Sequence, residues 1–108
     1  MPGRRRGRGR HRGRRWITEI PEQNFFQPRG LPPQQTNIIT ITLEELEALR
    51  LVDLEGHEQE EAAALMGVSR KTLWNDLKSG RKKVASALIR GYAIRIEGGT
   101  YALRGEIR

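Results

Sequence analysis

The chain has 108 residues and no cysteine, which is the size of one modest domain and excludes disulfides and thiolate metal sites. Its formal net charge is +7, and no apolar run is long enough to span a membrane or to act as a signal peptide. The missing cysteines fit a cytoplasmic protein, and the positive charge favours a polyanionic partner over a membrane.

The charge excess is confined to residues 1–15, "MPGRRRGRGRHRGRR", which contain eight arginines and no acid. The remainder has 12 basic and 13 acidic residues. A Gly/Arg segment cannot bury a core, so we predict a disordered tail. A solubilising terminus is the simpler alternative, and Arg-Gly segments also bind RNA. Because arginines that neutralise phosphates release counterions, we expect phosphate contacts from Arg4, Arg5, Arg6, Arg8, Arg10, Arg12, Arg14 and Arg15.

Residues 16–41 are predicted to form an extended segment that ends in a short strand. The prolines of this segment argue against regular helix, while its apolar residues indicate that it lies across the folded part. The β-branched run Asn37–Ile41 predicts the strand. A helix follows, because Thr42 and Glu45 form a capping-box pattern and the leucines after them recur on one face as far as about Glu55. Gly56 is expected to end this helix.

Residues 42–91 contain the pattern of a helix-turn-helix domain. A second helix from about Glu58 carries a small apolar patch, and Gly67 suits the left-handed position that ends a helix. Ser69 is predicted to cap a third helix, with Leu73 and Leu77 facing the core. Two helices joined by a short glycine-containing turn have the helix-turn-helix geometry. The second helix's patch comprises Ala62, Ala63 and Met66.

The opposite side of the third helix has the residue types that read DNA from a major groove. Arginine bonds guanine and asparagine bonds adenine, so the predicted base contacts are Arg70, Lys71, Trp74 and Asn75. Phosphate contacts are predicted from Ser69, Thr72, Lys78, Arg81 and Lys82. Trp74 is ambiguous, because its ring could instead pack on the first helix or the N-terminal segment.

The third helix is predicted to continue through Gly80 to about Arg90, although a glycine costs about 1 kcal/mol relative to alanine there and permits a break. Residues 92–108 then contain Gly98-Gly99, which predicts a two-residue turn in a β-hairpin. In that hairpin, Ile96 would face Tyr101 and Ile94 would face Leu103. The apolar face of the hairpin would pair with the Ile38–Ile41 strand or with a second copy of the chain.

The segments "TLEELEALRLVDLEGHEQEEAAALMGVSR" and "IRIEGGTY", with "PEQNFFQPRG" before them, resemble an uncharacterised prokaryotic family of small predicted DNA-binding proteins. The resemblance runs from Arg14 to about Leu103. It implies a helix-turn-helix like that of bacterial sigma factor region 4, with a recognition helix that opens at Ser69 and Arg70. The chain departs from the family where Glu58 replaces the usual Ser or Thr cap and where Gly80 replaces an expected alanine.

No pattern in the sequence indicates an enzyme. The two histidines are isolated, there is no phosphate-cradling loop, and no residues have the spacing of metal ligands, so we expect neither cofactor nor metal. The glutamates are interpreted as residues of helix first turns and solvated faces.

These patterns predict a mainly α fold, with a three-helix helix-turn-helix core, a short strand before it, a C-terminal hairpin and a disordered basic tail. The favoured function is a sequence-specific transcriptional regulator that binds double-stranded DNA. It is expected to be a homodimer whose two copies meet through the apolar hairpin face. The alternative is an RNA- or ribosome-associated protein that binds through its tail.

Overall fold

The computed structural model describes residues 15–30, 32 and 35–103, so most of the tail and residues 104–108 lie outside the described part. Five short strands surround a helical core within these ranges. In chain order the elements are β1 (Arg15–Ile17), β2 (Phe25–Phe26), β3 (Ile38–Ile41), α1 (Leu43–Ala48, continued as a π-helix over Leu49–Leu54), α2 (Gln59–Met66), α3 (Arg70–Arg90), β4 (Ala93–Ile96) and β5 (Tyr101–Leu103).

The strands form two small sheets. β4 is the central strand of one sheet and pairs in parallel with β3, where Ile39 lies opposite Ile94, and antiparallel with β2. β1 and β5 form the second, parallel pair, with Trp16 opposite Ala102. The predicted strand at Ile38–Ile41 is therefore confirmed, and its partner is in its own chain.

The predicted C-terminal hairpin is wrong, because β4 and β5 do not pair with each other. Both edges of β4 are already occupied by β2 and β3. The Gly98-Gly99 segment instead passes over the start of α1, where Leu43 N donates to Gly98 O (3.1 Å) and Thr100 N donates to Glu44 Oε2 (3.1 Å). Because these hydrogen bonds hold the segment at the N-terminus of α1, β5 lies next to β1 and pairs with it rather than with β4.

Helix α1 begins after Thr42 and ends just before Gly56, as the sequence predicted, but its second half is a π-helix. Thr42 and Glu45 form both bonds of the capping box, at 3.0 and 3.2 Å. The later turns widen, and Glu55 N donates to Arg50 O five residues back at 2.9 Å. Leu54, which the helical pattern assigned to the core, is 79% exposed as a result.

α2 and α3 are joined by a three-residue turn over residues 67–69, and each boundary lies where the sequence predicted it. Gly67 ends α2 in the left-handed region (φ 71°), and Ser69 caps α3 by accepting from Thr72 N at 3.1 Å. Glu58 precedes α2 without a side-chain cap bond, in agreement with the missing Ser or Thr. α3 continues unbroken through Gly80 to Arg90.

Gly80 lies on the side of α3 that packs against α1. A Cβ atom at this buried position would lie 3.3 Å from the carbonyl oxygen of Glu45 and 3.2 Å from Leu49 Cδ1. These distances are tight for a methyl group, which explains why glycine stands where alanine was expected.

The buried side chains form two clusters, one among the helices and one beneath the strands. The helical cluster comprises Ala48, Leu51, Ala62, Ala63, Met66, Leu73 and Leu77. The second cluster comprises Ile17, Leu43 and Ile96, with Leu46, Ile94, Tyr101 and Leu103 packed against it. The apolar residues that the predicted hairpin would have offered to a second copy are therefore covered by their own chain.

The fold is a mixed α/β arrangement of helices and two small sheets, rather than the mainly α fold that was predicted. The difference arises from the N-terminal segment and the C-terminal residues, which form strands with each other. None of the helices in the described ranges combines the length and apolar character needed to cross a bilayer.

Three acids of α1 are buried. Glu44 and Glu45 lie in the first helical turn, as interpreted, whereas Glu47 does not lie on a solvated face. Glu47 accepts from Thr18 Oγ1 (3.0 Å) and Arg50 Nη2 (2.6 Å). Glu45 accepts from Ser79 Oγ (2.6 Å) and Lys83 Nζ (2.8 Å). Burial acts to raise the pKa of Glu45, but these donors and the Thr42 backbone outweigh it and lower the pKa. The buried acids are Glu44, Glu45 and Glu47.

The lowered pKa of Glu45 predicts a pH dependence of stability. A carboxylate whose pKa is lower in the folded state stabilises the fold above its ordinary value of 4.5, and this contribution is lost as the pH falls through the folded-state value. Glu45→Gln should therefore lower the free energy of unfolding by about 1.5–3 kcal/mol at neutral pH, the range for hydrogen bonds to charged groups. Urea denaturation of both proteins across pH 3–7 measures this effect. A difference that stays constant down to pH 3 would contradict the assignment.

Gly67 predicts a second stability effect. Its φ of 71° disfavours any side chain, and a Cβ would lie 2.6 Å from Trp16 Cδ1. Gly67→Ala should cost about 1–2 kcal/mol for the left-handed backbone and about 1–3 kcal/mol more for the overlap. Gly56→Ala is the matched control, because Gly56 has a φ of 82° and open space around it. Equal losses of unfolding free energy for both variants would show that the Trp16 contact is unimportant.

Candidate nucleic-acid interface

The first half of α3 has one side in the core and one side in solvent. Leu73 and Leu77 are both fully buried and fix the rotation of the helix against α1 and α2. Residues at the opposite helical positions are all exposed, as predicted. We call this set the α3 outer face: Arg70, Lys71, Trp74, Asn75 and Lys78.

The helix terminus beside this face is held by its own cap. Ser69 Oγ accepts from the Thr72 backbone and donates to Thr72 Oγ1 at 3.1 Å. Thr72 is half-buried beside the face, and Ser69 is exposed. The positive end of the α3 dipole therefore opens towards solvent next to Arg70, where it favours anions.

Trp74 remains 38% exposed and belongs to neither buried cluster. Its neighbours in a shallow groove are Gln59, Arg70 and Lys71, and Lys78 Nζ lies 6.0 Å from its ring centroid. The ring is therefore partly open to solvent and does not belong to the buried core. Trp16 makes the contact with the turn.

The basic residues further along α3 differ in their availability. Lys82 is exposed, whereas Arg81 is paired with Asp53 of the π-helical segment at 2.7 Å. Lys83, which the sequence placed in the same basic cluster, is half-buried against Glu45. The hydrogen-bonded ion pair between Arg81 and Asp53 lowers the pKa of Asp53 and raises that of Arg81. Lys82 is thus exposed beside the α3 outer face, whereas its neighbours Arg81 and Lys83 form ion pairs with acids of the first helix.

Sequence reasoning missed two polar residues of α2 that border the face. Gln59 lines the groove beside Trp74, and Glu60 Oε2 lies 3.9 Å from Arg70 Nη1. Both partners of this ion pair are largely exposed, so the attraction is weak. The signal that could have found them is their position at the start of α2, which a short turn brings next to the start of α3.

Arg15 begins β1 rather than ending the tail. Its Nε atom lies 3.1 Å from Asp76 Oδ2, and Asp76 directly follows Asn75 on α3. Burial raises the pKa of Asp76, Arg15 opposes this shift, and the charges of Glu44 and Glu45 add to it. The phosphate contacts predicted from Arg4, Arg5, Arg6, Arg8, Arg10, Arg12 and Arg14 lie outside the described residues.

The surroundings of these residues do not resemble a metal site. No three His, Cys, Asp or Glu side chains are grouped as metal ligands within residues 15–30, 32 and 35–103.

Comparison with known proteins assigns the chain to a family. The sequence profile described as "Protein of unknown function DUF134" matches residues 1–104. A UPF0251 protein of the archaeon Methanosarcina acetivorans is 51% identical over 94 residues, which cover 87% of this chain and 84% of that protein. A UPF0251 protein of the bacterium Caldanaerobacter subterraneus is 49% identical over 92 residues, which cover 85% and 78%.

No solved structure matches the chain, and the likeness to sigma factor region 4 that the resemblance implied stays a prediction. The profile match spans nearly the whole chain, and the related proteins occur in both archaea and bacteria. The chain therefore belongs to the DUF134 family, which includes the UPF0251 proteins.

Proposed function

We propose that this protein is a sequence-specific DNA-binding transcriptional regulator, in which α2, the turn and α3 act as a helix-turn-helix. The observation that carries the proposal is the α3 outer face. It is a continuous row of cationic, amide and aromatic side chains on a helix whose other side is locked in the core. A rigid helix with such a face fits the major groove of B-DNA.

Each residue of the face has a chemical role in this proposal. Arg70 can donate two hydrogen bonds to guanine, and the amide of Asn75 can bond adenine in the same groove. Lys71 also points to base edges, and the exposed ring of Trp74 offers apolar contact to a thymine methyl group. Arg70 exchanges its weak Glu60 contact for the base.

Phosphate contacts surround these base contacts. Lys78 and Lys82 are exposed further along the same helix and can bind phosphates as point charges. The exposed α3 terminus at Ser69 supplies partial positive charge for another phosphate. Arg81 contributes only if it leaves Asp53.

The alternative is RNA binding through the tail, with the helices as a scaffold. Selection of bound sequences from random duplex DNA, with excess RNA as competitor, separates the two functions. Enrichment of a defined motif despite the competitor is the expected result. Recovery of unrelated duplexes that RNA displaces completely would contradict the proposal and favour the alternative.

We also propose that two copies bind together. Asn75 and Ile89 are about 21 Å apart along the axis of α3. If two copies meet at their Ile89 ends, their α3 outer faces are therefore at most ~42 Å apart. If the two α3 helices are inclined to each other, their outer faces can lie ~34 Å apart, which is the distance between successive major grooves. Leu88 and Ile89, at 76% and 82% exposed, are apolar residues at that end of the helix, and Phe26 is exposed nearby.

If two copies associate, light scattering at micromolar concentration should give a molecular mass twice that of the 12.4 kDa chain. Ile89→Lys should shift the protein towards the monomer, because each interface would then bury an unpaired charge. Lys82→Glu is a control that alters charge on α3 away from this end. A wild-type protein that is monomeric both alone and on DNA would contradict the dimer.

A further inference from the structure

The start of α2 places an acid beside the first residue of α3. Glu60 Oε2 lies 3.9 Å from Arg70 Nη1, and the two side chains are 79% and 67% exposed. Because neither side chain is part of the core, both can turn towards a ligand without disturbing the fold. The pair stands between two shallow grooves, since Arg70 lines both the groove that contains Trp74 and the groove that contains His57.

The packing of the two helices fixes this juxtaposition. Ala62 of α2 and Leu73 of α3 are fully buried in the same cluster. Glu60 lies two residues before Ala62, nearly opposite to it on the helix, so its side chain projects from the outer side of α2. The short turn after Gly67 then brings the start of α3 next to the start of α2.

The helix dipole alone gives an incomplete account of the acid at this position. Acids in the first turn of a helix are favoured by the dipole, and Glu61 in the same turn also bonds His57 Nδ1 at 2.9 Å. Glu60 differs because its carboxylate lies against the guanidinium that the proposed function assigns to guanine. A negative charge here repels the phosphates of any bound duplex, so its benefit is discrimination between sequences rather than affinity.

The major-groove edge of a G·C pair has groups that match this pair of side chains. Guanine presents its N7 and O6 acceptors, and the amino donor of the paired cytosine lies beside O6. A guanidinium only donates hydrogen bonds, and a carboxylate only accepts them. When Arg70 binds the guanine, the neighbouring Glu60 carboxylate therefore faces the cytosine amino group. An A·T pair would instead present its thymine O4 acceptor to the carboxylate, which is unfavourable.

We propose that Glu60 is a specificity-determining residue, which accepts a hydrogen bond from the amino group of the cytosine paired with the guanine that Arg70 contacts. The inference rests on the proposed function and deepens it, because it assigns a G·C pair to one position of the site. It also extends base reading from α3 to α2. The ion pair of the free protein gives way readily on binding, because both of its partners are exposed.

The test uses the selected duplex with N4-methylcytosine in place of one cytosine at a time. The methyl group replaces the amino hydrogen that faces the major groove, while the hydrogen paired with guanine and the guanine N7 and O6 atoms remain. Wild-type protein should lose about tenfold in affinity at one cytosine, the lower end of the effect of a hydrogen bond to a charged group. Glu60→Ala should bind the methylated and unmethylated duplexes equally at that position.

Glu58→Ala is the matched control for the charge. Glu58 is an exposed acid at the start of the same helix, and its side chain does not cap the helix. Both substitutions remove one negative charge, so both should tighten binding to random duplex by a similar factor. Only Glu60→Ala should also lose the response to N4-methylcytosine.

Four outcomes would overturn the inference. The selected site could lack a G·C pair, or wild-type protein could respond to N4-methylcytosine at no position. Glu60→Ala could keep the full response, or Glu58→Ala could lose it equally, which would indicate a general effect of charge. A scrambled site measured in parallel identifies failure at the earlier step. Equal binding of wild-type protein to selected and scrambled sites would contradict the proposed function and with it this inference.

Discussion

Arg70→Ala and Asn75→Ala should each weaken binding to the selected duplex by about 1–3 kcal/mol while barely changing binding to random duplex. Both side chains are exposed on the α3 outer face, so their removal leaves the core intact. Each substitution should also relax the base preference at one position of the site. Competition binding at fixed salt concentration, with selected and random duplexes, measures both effects.

Matched variants on the same helix provide the control. Lys82→Ala removes one exposed charge, so it should weaken binding to the selected and the random duplex by the same factor. Ala85→Ser changes an exposed, uncharged residue outside the predicted contacts and should alter neither. If Arg70→Ala and Asn75→Ala behave like Lys82→Ala, the assignment of α3 as the reading helix is wrong.

Removal of residues 1–14 should have the largest effect on salt dependence. This N-terminal arm contains seven arginines, and each phosphate contact that is lost reduces the log–log slope by about 0.9. The slope should therefore fall by up to ~6. On duplexes with identical flanks, selected and random sites should lose affinity by the same factor, because the arm does not reach the bases that α3 reads.

The deletion ends at residue 14 because Arg15 belongs to β1 and is paired with Asp76. Its measurement is a salt titration of the dissociation constant for both proteins. An unchanged slope would contradict phosphate binding by the arm. Loss of RNA binding in the truncated chain, together with silent α3 substitutions, would favour the RNA-associated alternative.

The sequence predicted the helical half of the fold because its signals are local. A capping box at Thr42, a left-handed glycine at Gly67 and a serine cap at Ser69 each act within a few residues, and all three occur as expected. The exposed residues of the α3 outer face follow from the same periodicity, once Leu73 and Leu77 are placed in the core.

The pairing of the two C-terminal strands was mispredicted because their partners are distant in the chain. Gly98-Gly99 has the local chemistry of a hairpin turn, yet Ile94 pairs with Ile39 and Phe26, and β5 pairs with residues 15–17. The buried glutamates have the same cause. Glu45 is stabilised by Ser79 and Lys83, more than thirty residues away, which no local pattern indicates.

The central claim is that the first half of α3 contacts DNA, and an NMR titration tests it most directly. Uniformly ¹⁵N-labelled full-length protein would be titrated with the selected duplex and with a scrambled duplex of equal length. The amide shifts that differ between the two duplexes should concentrate in residues 69–78 and in the side-chain amide of Asn75. Differences confined to residues 1–14, or to the Leu88–Arg90 end of α3, would contradict the claim.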